Sequence, residues 1–397
     1  MAAITHEEIE SEEAFRASAR AWIRANLPDG WLAGPRREPR RLVDRFKFRH
    51  EWHRRLYRGG WMGLHWPKCC GGRGLSLVEQ ILFNEEAAAV EAPPIANWVG
   101  VELVGPTLIR WGSEEQQQNY LPRILSGDDI WCQAWSEPNA GSDLANVETT
   151  AVREGGDFLI TGHKRWTSWA QFASHCVVLT RTGSSSLRHK SLSCFIVPLS
   201  QPGITVCPIA MANREAEEND VYFSQVRVPA QNMLGPPHDG WRVVLTAMEH
   251  ARGTATLFRA VELQGMLKRL LRSAKTARAG AGLADCRIRH RLTLLQTEIE
   301  ALTCLAYRKL GELKKGLNTT ATASVEKLIW SRLSQEITGL ALQLEGLNAL
   351  TGRSDNDEIW PGQWCDSLFR AKGTAIEGGT DEIQRNIIAR RVLDLMV

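Results

Sequence analysis

Apolar residues recur at helical spacing at both ends of the chain and gather into short runs in the middle. Phe15, Ala19, Trp22 and Ile23 share one face of a helix over Glu12–Leu27, with Thr5 and Glu8 forming a capping box before it. Ser76 with Glu79 opens a second helix, Leu77 to Val90, and Ser113 with Gln116 opens a third that is expected to stop near Pro122. At about residue 126 the period changes. Phe158–Thr161, Cys176–Thr182, Leu192–Pro198, Ile204–Ile209 and Val221–Val228 read as strands, punctuated by Gly155-Gly156-Asp157 and Gln201-Pro202-Gly203. Short strands at near-regular spacing predict a small antiparallel barrel or sandwich. From Trp241 the helical period returns, over roughly 241–275, 287–315 and 322–350. A polar break follows at Thr351–Gly362, and a last helix runs from Asp381 to about Leu395.

The expected organisation is therefore α, β, α: a helical domain over 1–125, a β domain over 126–235 and a helical domain over 236–397. A length of 397 residues agrees with two to three domains at ~150 residues each. Forty-eight Lys and Arg against 45 Asp and Glu leave a net charge of +3, too balanced for a general nucleic-acid binder. No apolar run approaches the ~20 residues of a bilayer span, so no membrane insertion is expected. Nine cysteines, Cys69 and Cys70 adjacent and the other seven scattered, without a C-x-x-C pair, and the acidic opening MAAITHEEIESEE predict reduced thiols and a cytoplasmic location. No His, Cys or carboxylate spacing suggests a metal site. Neither a G-x-G-x-x-G after a strand nor a G-x-x-x-x-G-K-[ST] occurs, which disfavours Rossmann and P-loop nucleotide binding.

Three motifs carry the chemistry. Trp131-Cys132-Gln133-Ala134-Trp135-Ser136-Glu137-Pro138-Asn139-Ala140-Gly141-Ser142-Asp143-Leu144 resembles the first signature of the acyl-CoA dehydrogenase family. Gly379-Thr380-Asp381-Glu382-Ile383-Gln384-Arg385-Asn386 resembles its second. Gly162-His163-Lys164-Arg165-Trp166-Thr167-Ser168 is similar to the family's G-x-K-x-W-[IT]-[ST] strand. The resemblance covers nearly the whole chain. It implies the family's fold, an α+β multidomain of N-terminal helical domain, central antiparallel β-barrel and C-terminal four-helix bundle, assembled as a homodimer or homotetramer.

It also implies an FAD cofactor. Gln133, Trp135 and Ser136 would contact the flavin pyrimidine edge, Ser142 would lie near the pyrophosphate or pantetheine, and Trp166 and Ser168 would flank the isoalloxazine. The turn Asn139-Ala140-Gly141-Ser142 has small side chains that let backbone amides come close to a ligand. Gly378-Gly379 followed by Thr380 as N-cap, with Asp381 and Glu382 in the first turn, makes a helix start suited to phosphate or an electron-rich ring. In the family, the positions of Thr380 and Glu382 contact the FAD of a neighbouring subunit. Gln343-Leu344-Glu345-Gly346 is similar to the family's adenine-side Q-x-x-G-G, with Leu347 at the second glycine. Arg278 stands where an arginine reaches the neighbour's pyrophosphate, without the phenylalanine usual beside it.

The reaction implied is α,β-dehydrogenation of an acyl thioester carried by CoA or an acyl carrier protein, with an electron-transfer flavoprotein taking the electrons. A carboxylate removes the α proton while the flavin accepts the β hydride. The family places that glutamate directly before the G-T of the second signature, where this chain has Gly378, or directly before an arginine in the helix after the barrel, where it has Ala251. Glu377, one residue earlier in a glycine-rich turn, is the candidate substitute. Arg252 matches the arginine lining the thioester channel. Glu249 points ~200° away from Ala251 on a helix and matches an acidic position that structures the site. Two other readings stand beside this one: the same fold with elimination, cyclisation or oxygenation chemistry, and a non-catalytic subunit of a heteromeric dehydrogenase.

Overall fold

The computed structural model describes residues 6–32, 38–213, 215–276, 282–315, 317, 319–346 and 363–395. Five helices come first: α1 (His6–Asn26), α2 (Leu42–Arg58), α3 (Leu77–Ala89), α4 (Gly105–Trp111) and α5 (Glu114–Ser126). The expected capping boxes form at Ser76–Glu79 and Ser113–Gln116, where each serine hydroxyl meets a backbone N–H and the Glu or Gln side chain returns to the serine N–H. Pro122 does not end α5. The helix runs through it to Ser126, because Leu121, Ile124 and Leu125 are almost wholly buried and their burial outweighs the hydrogen bond the proline lacks. The expected cap at Thr5, Leu347 and the break at Thr351–Gly362 lie outside the described residues.

The middle of the chain forms β1 (Trp131–Ala134), β2 (Thr150–Glu154), β3 (Asp157–Lys164), β4 (His175–Arg181), β5 (Leu192–Pro198), β6 (Ile204–Pro208), β7 (Asn219–Pro229) and β8 (Met233–Leu234). They make one sheet in the order β6-β7-β3-β2-β4-β5-β8, with β1 also on β4. Antiparallel ladders dominate. Parallel pairing occurs where β1 lies along β4 from Trp131–His175 to Ala134–Val178, and at Thr150–Arg181 between β2 and β4. Cys132, Ala134, Ile160, Cys176, Val178, Phe195, Val197, Val221 and Val226 fill one core of this layer.

The last part is helical: α6 (Gly240–Thr276), α7 (Cys286–Lys314), α8 (Thr320–Glu345), α9 (Gln363–Thr374) and α10 (Asp381–Arg391). α6 packs on α7 and α8, and α8 carries α9 and α10. Leu263, Leu267, Leu270, Ile299, Leu302, Leu333, Ile337 and Leu340 supply their shared core. α6 also receives α3, while Val243, Val244 and Ala247 at its start join the large N-terminal core with Leu192, Cys194 and Ile196 of β5. Among the described residues no helix is long and apolar enough to cross a membrane.

Candidate flavin and thioester site

The site is built where β1 and β3 end side by side. Beyond β1 the chain enters a turn whose anchor is Glu137, buried and facing Lys164 of β3 at 2.7 Å. Its carboxylate also accepts from Glu148 N at 2.6 Å and Thr149 N at 2.9 Å. Burial alone would push the Glu137 carboxyl up, but Lys164 and these donors outweigh it and hold it below the usual range. Lys164 has no exposed surface, and burial brings its pKa down to about 8 against the pull of Glu137. The same ammonium donates to Trp135 O at 2.9 Å, and Arg165 N donates to Ser136 O at 2.9 Å. The first signature is thus stitched to the segment carrying Trp166 and Ser168.

That segment is a tight turn. Trp166 (φ 63°) and Trp169 (φ 60°) both adopt the left-handed region, which non-glycine residues enter only when their surroundings over-determine it. Here the clamp is the start of β7: Thr167 and Asn219 exchange backbone hydrogen bonds at 3.0 and 3.1 Å, Asn219 Nδ2 adds a third to Thr167 O, and Trp169 N donates to Glu217 O. The turn buries Trp169 and leaves the Trp166 indole 52% exposed under the Arg165 guanidinium, 5.0 Å from the ring centroid. On the first signature and this turn, Gln133 Oε1, Trp135 Nε1 and Thr167 Oγ1 are buried polar atoms without a protein partner among the described residues. Unpaired buried donors and acceptors are rare, and these three lie on the two segments just described. They suit a planar ligand with donors and acceptors along its edge, as a flavin has.

Carboxylates gather at the far side of the turn. Ser168 Oγ donates to Glu218 at 3.0 Å (Oε1) and 3.1 Å (Oε2). Burial pushes the Glu218 carboxyl up to about 7, against the Ser168 bond and the Arg370 charge, while Glu377 and Glu217 push the same way as burial. Arg370 of α9 pairs with Glu377 at 2.8 Å and feels Glu217 and Glu218 as well. Glu377 therefore stands at the same cluster as Ser168, held by an arginine. Glu218 carried no motif; its only mark in the sequence is a Glu-Glu pair ahead of a strand, which reads as a solvated charge run. Gly378 (φ 64°) and Gly379 (φ 91°) follow, a backbone that only glycine enters without strain, and a Cβ on Gly378 would meet nothing within 4 Å.

The remaining expected residues lie elsewhere. Ser142 is exposed in the first-signature turn, where its neighbour Asp143 pairs with Arg188 at 2.5 Å. Thr380 is the N-cap of α10, accepting from Ile383 N, and Glu382 is exposed with Arg385 3.6 Å away. Gln343 of α8 accepts from Arg291 of α7 at 2.5 Å. These last three belong to the helical bundle. Glu249 lines a 710 Å³ groove with Arg242, Leu245 and Thr246 of α6 against His65–Pro67 and Trp111. Arg252 lies on α6 three residues further on, and Arg278 lies outside the described residues.

Comparison with known proteins supports the fold over nearly the whole chain. The profiles of the acyl-CoA dehydrogenase N-terminal, middle and C-terminal domains match residues 9–128, 132–226 and 238–393. The chain is 39% identical to Acyl-CoA dehydrogenase IpdE1 of Mycobacterium tuberculosis over 388 residues, 96% of this chain and 97% of the relative. Acyl-CoA dehydrogenase FadE26 of the same organism is 32% identical over 350 residues, 85% and 86% of the two chains. Among solved structures, the Tcur3481-Tcur3483 steroid ACAD superimposes with a TM-score of 0.83 at 28% identity, covering 98% of each chain. The ChsE4-ChsE5 complex from Mycobacterium tuberculosis gives 0.83 at 28% identity, covering 100% of each.

Proposed function

The chain belongs to the acyl-CoA dehydrogenase family, and from that premise we propose that it oxidises the Cα–Cβ bond of a bulky acyl thioester with FAD held on the Trp166 turn. The observation that carries this reading is the set of buried Gln133 Oε1, Trp135 Nε1 and Thr167 Oγ1, unpartnered among the described residues, on the two stitched segments that also carry the exposed, strained Trp166. FAD, when bound, supplies the hydride acceptor. The chain's own residues do the rest. Gln133, Trp135 and Ser136 would hold the pyrimidine edge, and Trp166 and Ser168 would flank the ring. Ser142 would lie near the pyrophosphate or pantetheine, and Arg252 would supply fixed positive charge to an anionic thioester carrier. Glu377 is the proposed acceptor of the α proton, within the cluster that contains Ser168; its tie to Arg370 must loosen for it to reach substrate. The similarity to the Tcur3481-Tcur3483 steroid ACAD supports a bulky, polycyclic acyl group. Thr380, Glu382, Gln343 and Arg278 would serve the FAD of a second chain, and an electron-transfer flavoprotein would take up the electrons.

A second reading has its own support. Both positions where the family carries its glutamate hold Gly378 and Ala251, and two neighbours are structures of two differently named chains together. On that reading this chain pairs with a homologue that brings the base. Anaerobic mixing decides between them. FAD-loaded protein alone should be bleached by a polycyclic acyl-CoA; bleaching only after a homologous second chain is added would support the paired assembly, and no bleaching in either case would refute the dehydrogenase reading.

A further inference from the structure

Ser168 has one hydroxyl proton and two lone pairs, so what it can offer a ligand depends on where that proton points. In the structure the proton is directed at Glu218, whose two oxygens stand 3.0 and 3.1 Å from Ser168 Oγ. An ionised carboxylate can only accept, so with Glu218 charged the Ser168 hydroxyl has only lone pairs left for anything on its other side. A protonated Glu218 can instead donate to Ser168 Oγ, and the hydroxyl proton is then free to turn outward.

We propose that Glu218 is a positioning residue whose gain or loss of one proton sets whether the Ser168 hydroxyl presents a donor or an acceptor to the flavin. The inference rests on the proposed placement of Ser168 beside the flavin ring made above. It adds a residue outside the two signatures and the strand motif.

The surroundings of Glu218 make such a change accessible near neutrality. Among the described residues four groups act on it. Ser168 comes from the turn before it, Glu217 precedes it in the chain, and Arg370 and Glu377 come from α9 and the turn that follows. Arg45 of α2 pairs with Glu215 at 2.5 Å and also feels Glu217, so its charge is largely answered before Glu218. Among the described residues Arg370 is the cation that acts on Glu218, and its direct partner is Glu377 at 2.8 Å. Glu218 is left with burial and two nearby carboxylates on one side of the balance and a shared arginine on the other. Its carboxyl is pushed up to about 7, so it exchanges a proton with solvent within the physiological range.

The chemical consequence has a definite sign. The edge of oxidised isoalloxazine is rich in acceptors, at ring nitrogens and two carbonyls, so a donating hydroxyl favours that form. Reduction adds hydrogen to the ring nitrogens, and an accepting hydroxyl then fits better. Protonated Glu218 should therefore favour oxidised FAD, and the affinity for oxidised FAD should fall as pH rises through the carboxyl's midpoint.

The experiment is a titration of apo-protein with oxidised FAD, read by flavin fluorescence and absorbance from about pH 5.5 to about pH 8.5. Wild-type affinity should weaken about tenfold across that range, the worth of one hydrogen bond. Glu218→Gln, whose amide can donate like the protonated acid, should hold the low-pH affinity at every pH. Ser168→Ala, which keeps Glu218 but removes the hydroxyl it steers, should bind weakly and without pH dependence. An infrared carboxyl band that titrates near pH 7 in apo-protein and is missing from Glu218→Gln would identify the group directly. A wild-type affinity independent of pH, or an equal slope in Glu218→Gln, would overturn the proposal while leaving the flavin site standing. Failure of every variant to bind FAD at any pH would remove both.

Discussion

At the scale of single residues, the site divides into side chains that meet the ligand and side chains that hold them. Trp166 is proposed to be of the first kind: its ring is exposed although the turn that presents it is clamped by three hydrogen bonds to Asn219. Trp166→Ala should weaken FAD binding about tenfold, a loss that flavin fluorescence titration measures, while circular dichroism stays unchanged. Glu377→Gln should lower turnover about 10²–10⁴-fold without altering the bound-flavin spectrum, since on the proposed reading it removes a base and not a flavin contact. An unchanged rate would mean that Glu377 is not the base. Glu218 makes a separate claim on stability. Its carboxyl sits above the value it has in the unfolded chain, so the folded state binds more protons between about pH 4.5 and about pH 7, and stability falls as pH rises through that window. Glu218→Gln should remove that slope and be more stable than wild type at about pH 8 by about 1–3 kcal/mol, measured by denaturant unfolding at both ends of the window. Lys164 and Glu137 are the opposite case, a buried pair whose partners satisfy each other, and Lys164→Met should destabilise the fold by about 3–5 kcal/mol by stranding the Glu137 charge.

At the scale of elements, what the sequence discloses depends on how much of each element is buried. β4 and β5 are buried along almost their whole length and read directly as apolar runs between turns. β2 reads Thr-Ala-Val-Arg-Glu with only Ala151 buried, β1 is four residues inside a motif and β8 is two residues long, so none gives a periodic signal. α2 is charged along most of its length and buries Trp52, His53 and Leu56 alone, which hides it in the same way. The site follows the same rule. Residues in the three motifs were legible because spacing and type were fixed together, whereas Glu218 acts only through contacts that folding creates, with Ser168 fifty residues earlier and Arg370 on another domain's helix. Gln116 shows how an element is tied into the whole. It completes the capping box of α5, and its Nε2 donates to Gln231 O at 2.8 Å and Met233 O at 3.0 Å, joining that helix to the end of the sheet. Ser113→Ala should cost about 1 kcal/mol, the loss of a cap. Gln116→Ala should cost more, about 2–3 kcal/mol, because two backbone carbonyls lose their donor as well. Unfolding curves of the two variants side by side would show whether the larger loss belongs to the glutamine.

At the scale of the whole molecule, the expected flavin contacts come from two parts of the chain, the ends of β1 and β3 and the helical bundle, and Arg370 and Glu377 reach from the second to the Ser168 cluster of the first. Gln133, Trp135, Ser136, Trp166 and Ser168 lie where β1 and β3 end, while Gln343 and Glu382 make their described contacts inside the helical bundle, with Arg291 and Arg385. Exposed apolar side chains mark the same part of the chain: Phe369 on α9, Ile376 in the turn after it, and Val392, Leu393 and Leu395 beyond α10. Large apolar residues left in water at one end of a sequence are a reason to expect another surface over them. A second chain that covered this region would bring Thr380 and Glu382 to a neighbour's cofactor, so assembly and FAD retention should be one equilibrium. Diluting FAD-loaded protein should release flavin over the same concentration range in which light scattering shows the assembly falling to single chains. Glu382→Lys should shift both curves together to higher protein concentration, whereas Trp166→Ala should release flavin at concentrations where the assembly is intact. A single chain that keeps FAD on dilution would contradict the shared site, because one protomer would then supply every contact the cofactor needs.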